Sequence, residues 1–95
     1  MLLKANFVAE YKITFSRPAS KALEQLPASV VARIFPKIEE LARDPYPHGS
    51  KKLQGLLPLW RIRVGDYRVI YSVDRFQKVV NVTTVRHRSK AYERR

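Results

Sequence analysis

The chain has 95 residues, 45% of them hydrophobic and 11% aromatic, with six prolines, three glycines and no cysteine; that profile suits one compact domain over residues 1–95 and excludes disulfides and thiolate zinc sites. Nineteen lysines and arginines against eight acidic residues give a net charge of +11, and it is unevenly spread: residues 1–47 hold seven basic and five acidic side chains, residues 48–95 twelve and three. A polyanion is therefore the expected partner, met by the second half of the chain.

In chain order, the first element is a strand. Tyr11, Ile13 and Phe15 alternate with Lys12 and Thr14, the period of a half-buried strand. Ser16 then offers an N-cap, with Pro18 in the first helical turn, where a missing N–H costs nothing. A short helix to about Leu26 buries Ala19, Ala22, Leu23 and Leu26, and Pro27 ends it. A second helix, roughly residues 29–43, aligns Val30, Val31, Ile34, Phe35, Ile38, Leu41 and Ala42 on one face. Pro36 inside it predicts a kink or a break. Residues 44–50 are a loop, continued irregularly over residues 51–58. Strands are expected over residues 59–64 and 67–73, separated by Gly65-Asp66, whose leading glycine is the signature of a type II′ hairpin. A last strand covers about residues 78–85, after a turn at residues 74–77. The sum is an α+β fold: an N-terminal strand, a two-helix hairpin, then antiparallel strands completing a four-stranded sheet.

The two-residue turn also sets a register. Val64 then faces Tyr67, Ile62 faces Val69, and Arg63 stands directly opposite Arg68, with Arg61 on the same face. Trp60, Ile62, Val64, Tyr67, Val69, Tyr71 and Val73 take the other face, toward the helices. Like charges directly across a sheet are destabilising, so arginines converging on one patch point to an anion that compensates them. The plain alternative is a solubilising surface, but the patch lies in the strongly basic half. The segment after it, Val85-Arg86-His87-Arg88-Ser89-Lys90-Ala91-Tyr92, adds guanidinium groups suited to phosphate oxygens and a ring able to stack on an unpaired base. Arginines plus an aromatic, without paired carboxylates, read as phosphodiester chemistry on RNA without a metal. Glu39 and Glu40 diverge on their helix and read as a solvated face; His48 lies in a proline-flanked loop. His48 and His87 lack the spacing of a helical metal pair, and neither a cofactor nor a metal is expected. No stretch approaches the ~20 apolar residues of a spanning helix, and the first ten residues, broken by Lys4 and Glu10, are not patterned as a signal peptide. A cytoplasmic protein with no membrane partner is the expectation.

Three strings are distinctive: Lys-Lys-Leu-Gln-Gly-Leu at 51–56, Leu-Trp-Arg-Ile-Arg-Val-Gly-Asp-Tyr-Arg-Val-Ile-Tyr-Ser-Val at 59–73, and Val-Arg-His-Arg-Ser-Lys-Ala-Tyr at 85–92. Over residues 11–92 the chain resembles toxins of the RelE/ParE superfamily, the small basic partners of type II toxin–antitoxin pairs. The resemblance implies a cognate acidic antitoxin and, on the RelE side, a messenger RNA endonuclease acting on the ribosome by 2′-hydroxyl attack; ParE-type members instead poison DNA gyrase. Arg61, Arg63, Arg68, Arg86 and Tyr92 fall where RelE-type toxins carry basic catalytic residues and the aromatic that stacks on the RNA base. Lys51, Lys52, Arg88 and Lys90 are the expected RNA-binding surroundings. One departure matters: the RelE pattern has lysine as general base where this chain has Arg63, and arginine is a poor proton acceptor. His87 is then the candidate to move the proton, with arginines that only position and stabilise the phosphate as the other option. A non-catalytic basic RNA-binding module is the remaining reading.

Overall fold

A computed structural model of the protein describes residues 10–89. Strand β1 (Lys12–Phe15) is followed by helices α1 (Arg17–Gln25) and α2 (Ala28–Glu40), then by β2 (Lys51–Lys52), β3 (Leu59–Val64), β4 (Tyr67–Asp74) and β5 (Val79–His87). The strands form one sheet in the order β1-β5-β4-β3-β2, antiparallel except for β1, which pairs parallel with β5.

The sheet has five strands where four are expected from periodicity. The extra one is β2, in which Lys51 and Lys52 pair with Arg61 and Trp60. Two residues are too few to show a period, so only the pairing with β3 reveals it. Helix α2 runs on through Pro36 to Glu40. Proline removes the bond to the Ala32 carbonyl, but both residues are exposed, which leaves that carbonyl open to solvent, and Ile34 and Ile38 on either side are fully buried against the sheet. Beyond Glu40, residues 41–43 close as tight turns, with Ala42 N–H bonded to Glu39 O and Arg43 N–H to Glu40 O, so the helix stops short of the expected Arg43.

The core joins Ile34, Ile38 and Leu41 to Ile62, Val69, Tyr71, Val80, Val82 and Val85, with Ala19 contributed by α1. Each large side chain buried here contributes on the order of 1.5–3 kcal/mol. Tyr71 is fully buried, and its hydroxyl donates to Pro45 O at 2.6 Å. That bond ties the loop after α2 to the centre of the sheet. Burial pushes the Tyr71 phenol up to about 12, with a hydrogen bond to Ser50 working in the opposite direction.

One irregularity decides the geometry of the last strand. Ile70 pairs with Thr84 but Tyr71 pairs with Val82, which leaves Thr83 as the extra residue of a β-bulge. The bulge is held from two sides. Thr83 Oγ1 donates to Ile70 O at 3.1 Å, and the Ser16 hydroxyl donates to Thr83 O at 2.9 Å. The same Ser16 oxygen accepts the Ala19 N–H at 3.2 Å as the cap of α1, so one side chain starts the helix and pins the bulge. Because a bulge inverts the alternation beyond it, Val85 joins the core face and Arg86 turns to the opposite one.

Candidate nucleic-acid interface

The β3–β4 turn organises the site. Gly65 has φ +60° while Asp66 keeps a negative φ, as a type II′ turn requires. The resulting register pairs Arg63 with Arg68, and the bulge then pairs Arg68 with Arg86. Three arginines therefore stand side by side on three adjacent strands, on the face turned away from the helices. With ~4.8 Å between neighbouring strands, the row spans about 10 Å. One pleat further along, Lys51 lies opposite Arg61, which lies opposite Ile70. Arg61 is only 9% exposed. Burial, followed by the charges of Arg63 and Arg68, lowers its pKa from the usual arginine value; an anion placed here would relieve that stress.

At the turn end of the row, Arg63, Gly65, Asp66, Tyr67, Arg68 and Arg88 line a cleft of about 160 Å³. That is roughly five times the ~30 Å³ a water molecule occupies in the liquid, room for a phosphate group. Arg88 is held there by two contacts to Asp66: its backbone N–H donates to the Asp66 carbonyl at 2.7 Å, and its Nε lies 3.7 Å from Asp66 Oδ1. Both side chains of that ion pair are exposed, so the charge contact is weak and exchangeable, while the backbone bond keeps the chain beside the turn. Guanidinium groups converging on a small open cleft can grip a phosphate through paired N–H donors.

Of the residues expected at the site, Arg61, Arg63, Arg68, Arg86 and Lys51 share the open face, and Arg88 closes its end. Lys52 does not join them: it pairs with Trp60 and so sits on the helix face, beside the Tyr46–Trp60 ring contact at 4.6 Å. His87 also falls on the helix face. It pairs with Tyr67, its ring meets the Tyr67 ring edge-on at 5.2 Å, and its Nδ1 accepts the Ser89 N–H at 3.1 Å. The same Nδ1 lies 2.8 Å from the Ser89 hydroxyl. Lys90 and Tyr92 lie outside the described residues. The parts of the site that periodicity missed, the bulge that turns Arg86 outward and the Asp66–Arg88 tie, involve residues far apart in sequence and leave no local signal.

The family model for the ParE toxin of type II toxin–antitoxin systems matches residues 13–92. The toxin RelG of Mycobacterium tuberculosis is 28% identical over 85 residues, covering 88% of this chain and 98% of that protein. Among solved structures, the RelE–RelB complex of the archaeon Pyrococcus horikoshii superposes with a TM-score of 0.75 at 34% identity, over 85% of this chain and 98% of the matched one. The isolated E. coli RelE toxin superposes with a TM-score of 0.72 at 26% identity, over 81% and 83%. A match over all but the first residue of the described sheet, on a fold shared with RelE toxins, makes this chain a member of the ParE toxin family of type II toxin–antitoxin systems, within the RelE/ParE superfamily.

Proposed function

We propose that this toxin is a ribosome-dependent messenger RNA endonuclease, neutralised by a cognate acidic antitoxin. The observation that carries the reading is the row Arg63, Arg68 and Arg86, closed by Arg88 at a phosphate-sized cleft. In the reaction the ribose 2′-oxygen attacks the adjacent phosphorus in line, the P–O5′ bond breaks, and a 2′,3′-cyclic phosphate remains. The 2′-hydroxyl gives up its proton and the departing 5′-oxygen gains one. Extra negative charge gathers on the phosphorane oxygens, where fixed guanidinium groups stabilise it more than the ground state. Arg63 and Arg68 flank the cleft, Arg86 extends the row, and buried Arg61 adds to the field. Arginine is a poor proton acceptor, so Arg63 acts as a charge and not as the base. Tyr92 would stack on a base next to the scissile bond, and Lys51, Arg88 and Lys90 would hold neighbouring phosphates.

The RelE–RelB complex of Pyrococcus horikoshii supports a protein antitoxin, and the charge of +11 supports an acidic one. The family description names ParE, which keeps gyrase inhibition as the second reading. Primer extension on translated messages after induction separates the two. Cuts at fixed positions within codons are expected; intact messages with inhibited DNA supercoiling would replace the endonuclease reading with the gyrase one.

A further inference from the structure

The β3–β4 turn has a second flank, and an arginine occupies it. A Cβ at residue 65 would lie 2.7 Å from Nη2 of Arg33, reaching over from α2. Gly65 therefore lines the arginine cleft and also meets the guanidinium of Arg33, which is not among the residues lining that cleft. The missing side chain serves both the positive φ of the turn and this approach. Arg33 is exposed, and among the described residues it forms no ion pair. The one carboxylate at the turn, Asp66, pairs with Arg88. An exposed arginine with free rotamers would ordinarily swing away from a cluster of like charge. Here it rests against the turn that presents Arg63, Arg68 and Arg88, so positive charge continues round the hairpin tip from the open sheet face to the helix face.

We infer that Arg33 is a further RNA-binding residue, which holds a backbone phosphate beyond the one in the cleft and leads the strand over the hairpin tip. This rests on the RNA-directed reading of the arginine face and adds a path to it. It is a contact for an extended strand, with no part in the bond-breaking step.

Fluorescence anisotropy of a single-stranded oligoribonucleotide against the full chain, titrated with salt, tests it. Each phosphate contact contributes about −0.7 to the slope of log affinity against log salt. Arg33→Gln, which removes the charge and keeps a comparable helix preference, should flatten the slope by about 0.7. Between about 50 and 200 mM salt the wild-type protein should then lose about 2.6-fold more affinity than the variant. Arg33→Lys should restore the slope, since a point charge suffices for an unspecific phosphate contact. On programmed ribosomes Arg33→Gln should raise KM more than it lowers kcat. A wild-type slope in Arg33→Gln, with a flattened slope in Arg68→Ala, overturns the role of Arg33 alone. Wild-type slopes in both variants overturn the RNA-binding reading of the whole face.

Discussion

Arg63→Gln sets stability against function in one substitution. Arg63 faces Arg68 directly across the hairpin, with Arg61 two residues away on the same strand face and side. Like charges in that position cost about 0.2–1 kcal/mol, so removing one should stabilise the fold by that amount. For a domain of this size 1 kcal/mol moves the melting temperature by about 4–8 °C, which gives an expected rise of roughly 1–8 °C at low salt. The rise should shrink in about 1 M salt, where the Debye length falls from about 10 Å at 0.1 M to about 3 Å. Cleavage should move the other way, by about 10²-fold or more, as for loss of a preorganised donor to a developing oxyanion. Thermal unfolding at the two salt concentrations and single-turnover cleavage on programmed ribosomes read the two effects. A lower melting temperature at low salt would show that the arginines are not in conflict. A higher one with full cleavage would make the row a solubilising surface.

Because β2 turns Lys51 toward Arg61 and Lys52 toward Trp60, Lys51→Ala should flatten the salt slope of RNA binding by about 0.7 and Lys52→Ala should leave it unchanged; equal effects would contradict the pairing of β2. His87→Ala should lower cleavage less than about tenfold and leave the pH–rate profile between about pH 5 and 8 intact, since the ring lies on the helix face against Tyr67. A loss of about 10²-fold together with a missing limb would instead place the ring at the reacting atoms. The Tyr71 phenol is raised from 10.0 to about 12 in the folded chain, so the unfolded chain releases this proton first and stability falls as pH rises from about 10 to 12, by on the order of 2–3 kcal/mol. Denaturant melts of Tyr71→Phe across that window should show a flatter decline, after a loss at neutral pH of about 1 kcal/mol for the bond to Pro45; an unchanged decline would assign the alkaline sensitivity elsewhere.

Much of this protein is legible in local chemistry. Ser16 and Pro18 mark the start of α1, the alternation from Leu59 onward marks the strands, and Gly65-Asp66 defines a turn whose length alone puts Arg63 opposite Arg68. These features depend on neighbours in the chain, so periodicity and turn chemistry carry them. The family resemblance likewise rests on strings read directly from residues 51–92 and is matched by the ParE toxin model over residues 13–92.

What completes the arginine row was decided in three dimensions. Arg86 has the wrong parity for the open face if β5 alternates without interruption, and the bulge at Thr83 reverses it. That bulge is held by Ser16, 67 residues earlier. The faces of Lys51 and Lys52 follow from a two-residue pairing with β3, and Arg33 reaches Gly65 only because α2 packs across the sheet. A strand pattern states which residues alternate; which face each set takes is settled by hydrogen bonds to partners distant in the chain, and a single inserted residue inverts it.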